Sequence, residues 1–302
     1  MSGSPLFPPI EDAHRYAIKP GSVVWRRASD VRTMVGAGTA LVLQVAHPTV
    51  AAGVGEHSTY KRDPWGRLLR SLDYVNLLVY GEPRVAARVG RRLREMHQKI
   101  NGVAPDGTRY HALEREAFAW VHASTIDTLV RSHAAFGTPM GGDELEELWA
   151  DWVAVGRLLG IRPGDLPATW AEYGSYLDAL IDDRLGDSAV LRDVLETLGA
   201  QATPPPSLPG PLWTVLQLPA MRTLHVASVG LLPERLRTKL DLPWSLRDQV
   251  DFRLLSVALR AATPVMPSSL RRSGPDYLRR RERAIAGGDF GRDGGGGVAV
   301  AA

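Results

Sequence analysis

Residues 63–102 read DPWGRLLRSLDYVNLLVYGEPRVAARVGRRLREMHQKING, and the punctuation of this stretch decides the fold class. Asp63-Pro64 is a helix start: a carboxylate at the N-cap, then a ring whose fixed φ suits the first helical residue. Gly81 after Tyr80 is a stop. Val85, Val89, Leu93, Met96 and Ile100 then recur every three or four residues, one apolar stripe on a second helix predicted to end near Asn101-Gly102. His97 borders that stripe, while Arg84, Arg88, Arg91 and Arg92 share another face, expected to be solvated.

Outward from this pair the chain keeps a helical grammar. Val31 to Ala46 has the length of one helix, with Gly36 and Gly38 as packing residues, and His47-Pro48 breaks it while opening the next. After the turn Pro105-Asp106-Gly107, a helix carries Phe118, Trp120 and His122, and its His122, Ile126, Leu129 and His133 share one face. Asp143-x-x-Glu146 and Thr169-x-x-Glu172 have the form of capping boxes, the first opening a helix that stops at Gly160. Ser245 with Asp248 caps another helix, and breaks are expected at Pro219, Pro233, Pro243 and Pro264. No alternating strand pattern lasts long enough to build a sheet. The reading is an all-α protein with short loops: an arm over residues 1–20, one helical domain over 21–285 and a glycine-rich tail over 286–302, which should be dispensable. Arg271 to Arg283 forms a basic helix just before that tail.

Composition narrows the chemistry. With 302 residues and 44% hydrophobic content the chain can bury a large core. There is no cysteine, which excludes disulfides, thiolate metal ligands and cysteine nucleophiles together. Any metal or haem must hang on histidine, carboxylate or tyrosine. A net charge of +3 is small for a nucleic-acid protein. No apolar run is long enough to span a bilayer, and a cytoplasmic location is the expectation.

Histidine on apolar helical faces is the main chemical signal. A single such residue is more often a core imidazole with one hydrogen bond, but His97, His122 and His47 occur together in a chain without thiolates, and imidazoles on separate helices are how an all-α protein holds iron or haem. Arg67, Arg70 and Ser71 share one side of a helix; the plain reading is a solvated face with a back-bonded serine, the functional one an inward arginine that binds a carboxylate. A zinc hydrolase would want His-Glu-x-x-His, a serine hydrolase its strand-to-helix elbow, and a nucleotide site a glycine-rich phosphate loop; none is present. A non-haem iron site from His47, Glu56 and His57 and a non-enzymatic helical protein that binds a hydrophobic ligand stay open as alternatives.

The run Leu43-Gln44-Val45-Ala46-His47-Pro48, then Glu56-His57-Ser58, Asp63-Pro64-x-x-Arg67-Leu68-x-x-Ser71, Tyr80-Gly81, Met96-His97, Ala119-Trp120-Val121-His122-Ala123, Leu158-Leu159-Gly160 and Ser273-Gly274-Pro275 resembles the oxygenase MpaB family, which includes the bacterial rubber oxygenases called latex clearing proteins. The resemblance covers roughly residues 20 to 280. It implies a globin-reminiscent helical domain holding haem b through one proximal histidine, with O2-dependent attack on a small hydrophobic, isoprenoid-type substrate. Whether an external electron donor takes part stays open. By that resemblance His97, approached by Arg94 and Met96, is the iron ligand, and Arg94 and His122 assist in binding the cofactor. The exchange of His97 and His122 is the alternative. Arg67, Arg70 and Ser71, where rubber oxygenases carry Arg-x-x-Lys-Thr, are the expected catalytic set together with His47. Arg70 stands where those enzymes have lysine and cannot act as a base.

Overall fold

Prolines and polar caps set most of the helix starts. The computed structural model describes residues 6–199, 204, 209–267, 271, 272, 274–276, 278 and 279. A 3-10 turn, Ile10–Arg15, precedes α1 (Val23–Ala28), whose first turn is capped by the Ser22 hydroxyl. A second 3-10 segment, Val31–Gly36, leads into α2 (Ala37–Val45), and the chain then bends by 108° into α3 (Pro48–His57) at the His47-Pro48 step. Next come α4 (Pro64–Tyr80), with Asp63 Oδ1 accepting from Gly66 N at 2.8 Å, and α5 (Pro83–His97). A small antiparallel pair, β1 (Asn101–Val103) with β2 (Arg109–His111), separates them from α6 (Arg115–Phe136). The remainder is α7 (Gly142–Leu158), α8 (Trp170–Asp183), α9 (Ala189–Gly199), α10 (Gly210–Gly230), α11 (Glu234–Lys239) and α12 (Leu246–Ala262). The architecture is all-α. No single described helix is long and apolar enough to cross a membrane.

Several local expectations change. Val31 to Ala46 is not one helix: the Asp30 carboxylate accepts from Arg32 N at 3.0 Å and tightens the first turns into 3-10 geometry as far as Gly36. α5 ends at His97 rather than near Asn101, because Ile100 drops into the core and the chain leaves as β1. Asp143 does not cap α7. Glu146 instead reaches across to α8 and accepts from Trp170 N at 2.8 Å and Ala171 N at 2.9 Å, so it caps the neighbouring helix. Pro219 does not break α10, since it sits in an exposed half of the helix where water can serve the carbonyl that its missing N–H leaves free. Ser245 and Asp248 form the reciprocal box that was expected. Most of the basic helix over Arg271 to Arg283, and all of the tail, lie outside the described residues.

α6 runs through the middle. It packs on the Val31–Gly36 segment, α2, α7 and α12, and its Trp120 is fully buried with Nε1 donating to Leu43 O at 2.9 Å. Glycines let the other helices approach: a Cβ on Gly36 would strike Ser132 and Thr128, and one on Gly38 would strike Ser228. At Gly90 the neighbour is the backbone carbonyl of Leu158, which cannot rotate away as a side chain can. Gly90→Ala should therefore cost about 1–3 kcal/mol in chemical denaturation by forcing α5 off the end of α7. An unchanged unfolding midpoint would mean that α5 and α7 are not held at this distance.

Candidate functional site

α4 and α5 are joined at Gly81-Glu82 and pack on each other, and the start of α4, with Arg67 and Leu68, meets the end of α5, with Leu93 and His97, at one wall. With the Val31–Gly36 segment, α2 and α6 they enclose a cavity of about 330 Å³, a size suited to small molecules. Most of its wall is apolar, including Leu41, Leu68, Val75, Phe118 and Leu129. Four of the expected residues meet there: Arg67, Ser71, His97 and His122.

His97 ends α5, where Nδ1 lies 2.7 Å from Leu93 O one turn back on its own helix. A carbonyl only accepts, so the proton sits on Nδ1 and the lone pair on Nε2 is left available. Phe118 packs edge-to-face on the ring at 5.7 Å between centroids. Burial lowers the imidazole's pKa, the Leu93 bond offsets part of that, and the nearby Arg94 charge adds to the depression. His97 is thus a neutral base in a fixed orientation.

His122 is held differently. Its Nε2 donates to Trp152 O at 2.8 Å, Trp152 Nε1 donates back to His122 O at 2.9 Å, and the two rings stack at 4.6 Å with 3° between their planes. Here Nδ1, close to its own backbone, is the acceptor nitrogen. Burial brings the pKa down to about 4, against a small opposing effect of the Trp152 bond.

Arg67 enters the wall from α4 with Nε donating to Ser58 Oγ at 3.0 Å. Desolvation, then the charge of Arg70, brings its pKa to about 10, so it remains a cation at neutral pH. Ser71 donates its hydroxyl to Arg67 O at 3.0 Å, the back-bonded state of an ordinary helical serine, while still lining the cavity.

Three expected residues are not brought to this cavity. Arg70 lies on the outer edge of the same helical face, where Nη1 donates to Asp63 Oδ2 and Nη2 to Thr59 Oγ1, each at 3.1 Å. Arg94 turns toward Gly160 O at 3.4 Å and lies over the Phe118 ring at 5.4 Å, so it meets the cavity only through that ring. His47 is buried at the start of α3, 3.4 Å from Glu116 Oε1, which also pairs with Arg184 at 2.7 Å. His57 meets Tyr110 OH at 3.1 Å, and Tyr110 donates in turn to Glu56. His47, Glu56 and His57 therefore do not converge, and no group of three or more His, Asp or Glu residues that could hold a metal ion occurs among the described residues.

Other cavity residues were not anticipated. Tyr74 lines it and donates to Met96 Sδ at 3.3 Å; it follows Ser71 by three residues and Arg67 by seven, a spacing that would have found it. Gln44, on the mostly apolar α2, lines it too. Trp152 carries no separate signal beyond the apolar stripe of its helix.

Residues 25–261 match the model of the family described as ER-bound oxygenase mpaB/B'/Rubber oxygenase, catalytic domain. The chain belongs to that family. The mpaB/rubber-oxygenase match spans every residue lining the cavity, from Ala28 to Leu159. Two mycobacterial proteins, from Mycobacterium bovis and Mycobacterium tuberculosis, both described as uncharacterized, are each 24% identical over 232 residues, covering 75% of this chain and 87% of theirs. No solved structure matches at a significant level. The family match makes the chain an oxidoreductase candidate.

The electrostatics carry a stability consequence. His122 has a folded pKa near 4, below its unfolded value near 6.5, so above pH 6.5 both states are neutral and nothing is lost. As pH falls below 6.5 the unfolded chain takes up a proton that the folded chain refuses, and stability drops. Between pH 7 and 5 this residue alone should cost about 2 kcal/mol. His122→Gln retains the donor toward Trp152 O and removes the titration, so urea denaturation at the two pH values should show a smaller loss for the variant by roughly that amount. Equal losses would mean that His122 is not desolvated.

Proposed function

We propose that the chain is a haem b-dependent oxygenase that uses O2 on a small hydrophobic, isoprenoid-type substrate, and that His97 Nε2 would hold the haem iron. The observation that carries the reading is the His97 tautomer: Nδ1–H is tied to Leu93 O, and Nε2 is left for a metal beside an apolar cavity. A porphyrin brings four of the iron's ligands with it, so one imidazole suffices where side chains do not cluster around an ion. His122 would hold the iron less well, because its Nε2 is already committed to Trp152 O.

Haem held by His97 would supply the O2 binding and redox chemistry. The chain's own contribution follows from the wall. Apolar side chains exclude water and receive a hydrophobic substrate. Arg67 stays charged in this apolar wall, where a fixed guanidinium can stabilise developing negative charge or a carboxylate. It cannot take a proton. Above pH 4 a neutral His122 and the Ser71 hydroxyl also line the same cavity. Since Arg70 faces Asp63 and Thr59, its departure from lysine leaves this wall unaltered.

Protein produced with adequate haem supply should be coloured and show a Soret band, and Arg67→Ala and Ser71→Ala should keep that band. Arg67→Ala should lower turnover of an isoprenoid-type substrate by about 10²-fold, the scale of losing one preorganised donor. Arg70→Lys should change it little. A colourless protein that takes up no haem, or a turnover defect in Arg70→Lys as deep as that in Arg67→Ala, would count against this arrangement.

A further inference from the structure

A second, more open cavity of about 340 Å³ adjoins the first, and most of its lining residues are charged. Among the described residues Arg26, Arg27, Arg32, Arg271 and Arg272 line it, against two carboxylates, Asp30 and Glu144. We propose that this chamber binds a phosphate-class oxyanion, a phosphate monoester or a diphosphate group.

The charge distribution argues for a multivalent anion. Glu144 is spent on Arg27, whose Nη2 lies 2.6 Å away, and Asp30 on Arg32 at 2.5 Å. Arg26 donates to the Gly21 carbonyl, which carries no charge. Arg271 and Arg272 pair with no carboxylate among the described residues, although the Arg272 backbone is bridged to Asp30. Among the described residues, five guanidinium groups against two carboxylates leave three positive charges in excess around one concavity. A carboxylate would balance one of these, whereas a phosphate ester or diphosphate balances two or three and offers several oxygens to planar, multi-donor guanidinium groups. His133 is at the same wall, buried, with Nε2 donating to Arg27 O at 3.0 Å and Nδ1 without a partner.

The chamber shares its partition with the apolar cavity. Arg27, Ser29, Asp30 and Arg32 face the chamber, while Ala28, Thr33 and Met34 of the same segment face the cavity. On α6, Leu129 faces the cavity and His133, one turn on, the chamber. The anion is therefore either free or the head of an amphiphile whose chain occupies the neighbouring cavity.

Isothermal titration of the full chain with inorganic pyrophosphate and, separately, with dodecyl phosphate below its micelle concentration tests this without reference to haem. At least one probe should bind with one-to-one stoichiometry and weaken as salt is added. Dodecyl phosphate binding ten-fold or more tighter than pyrophosphate would identify an amphiphile head, and the reverse order a free anion; both outcomes support the site. Arg271→Gln/Arg272→Gln should weaken binding by about ten-fold or more. Arg26→Gln, an exposed position, gives the same readout with a weaker effect should the double variant fail to fold. Absence of binding by both probes at millimolar concentration, or equal affinity in folded arginine variants, would overturn the proposal.

Discussion

A helix buried on most sides cannot leave its polar side chains to water, and α6 carries Trp120, His122, Asp127 and His133 into the interior. Each buried donor or acceptor left without a partner would cost on the order of 1–3 kcal/mol. The surrounding elements answer most of this demand, with Ser132 Oγ and His133 Nδ1 left without a partner. α2 offers Leu43 O to Trp120, α7 exchanges two hydrogen bonds with His122 through Trp152, α1 offers Arg27 O to His133, and Arg131 pairs with Asp127 at 2.7 Å on α6 itself. These bonds fix the rotation of α6, and with it the face that presents Val121, His122, Thr125 and Leu129 to the apolar cavity. Packing supplies the bulk of the stability, and the polar pins supply the register.

The same helix divides two environments. Toward α4 and α5 it borders an apolar cavity with one buried guanidinium; one turn beyond Leu129 it borders a chamber of arginines. The segment from Arg27 to Met34 is the partition between them: Arg27, Ser29, Asp30 and Arg32 line one side, Ala28, Thr33 and Met34 the other, and 3-10 turns begin at Val31 after the Asp30 cap. A regular α-helix through Val31 to Ala46 would have put a different set of residues on each wall.

Much of this was legible in the sequence. Asp63-Pro64, Gly81 and the stripe from Val85 to Ile100 marked the two helices, and helical spacing put Arg67 and Ser71 on one side of the first; that His97 belongs with them was implied by the family resemblance alone. The residues that went elsewhere did so for reasons that spacing does not encode. Arg70 falls within the same helical face, yet the carboxylate of Asp63 and the hydroxyl of Thr59, both before the helix, draw it outward. Arg94 precedes His97 by three residues, but the Phe118 ring and the Gly160 carbonyl take its guanidinium. His47 sits at the bend into α3, where Glu116 and Arg184 from distant parts of the chain complete its surroundings. Such long-range polar partners have no local signature. The choice between His97 and His122 was open from helical phase alone and turns on which ring nitrogen each one commits, a property of Leu93 and Trp152 rather than of the histidines.

The most direct test of the account is chemical rescue at the proposed iron ligand. Removal of the imidazole in His97→Gly leaves the cavity and its wall in place while deleting the nitrogen that Leu93 O orients. Titration of the variant with haem should give little or no protein-bound Soret absorption, and addition of free imidazole should restore a spectrum close to that of the wild type, with His122→Gln binding haem without rescue. Haem binding by His97→Gly that is as tight as wild type and indifferent to imidazole would contradict the assignment and move the site away from the end of α5.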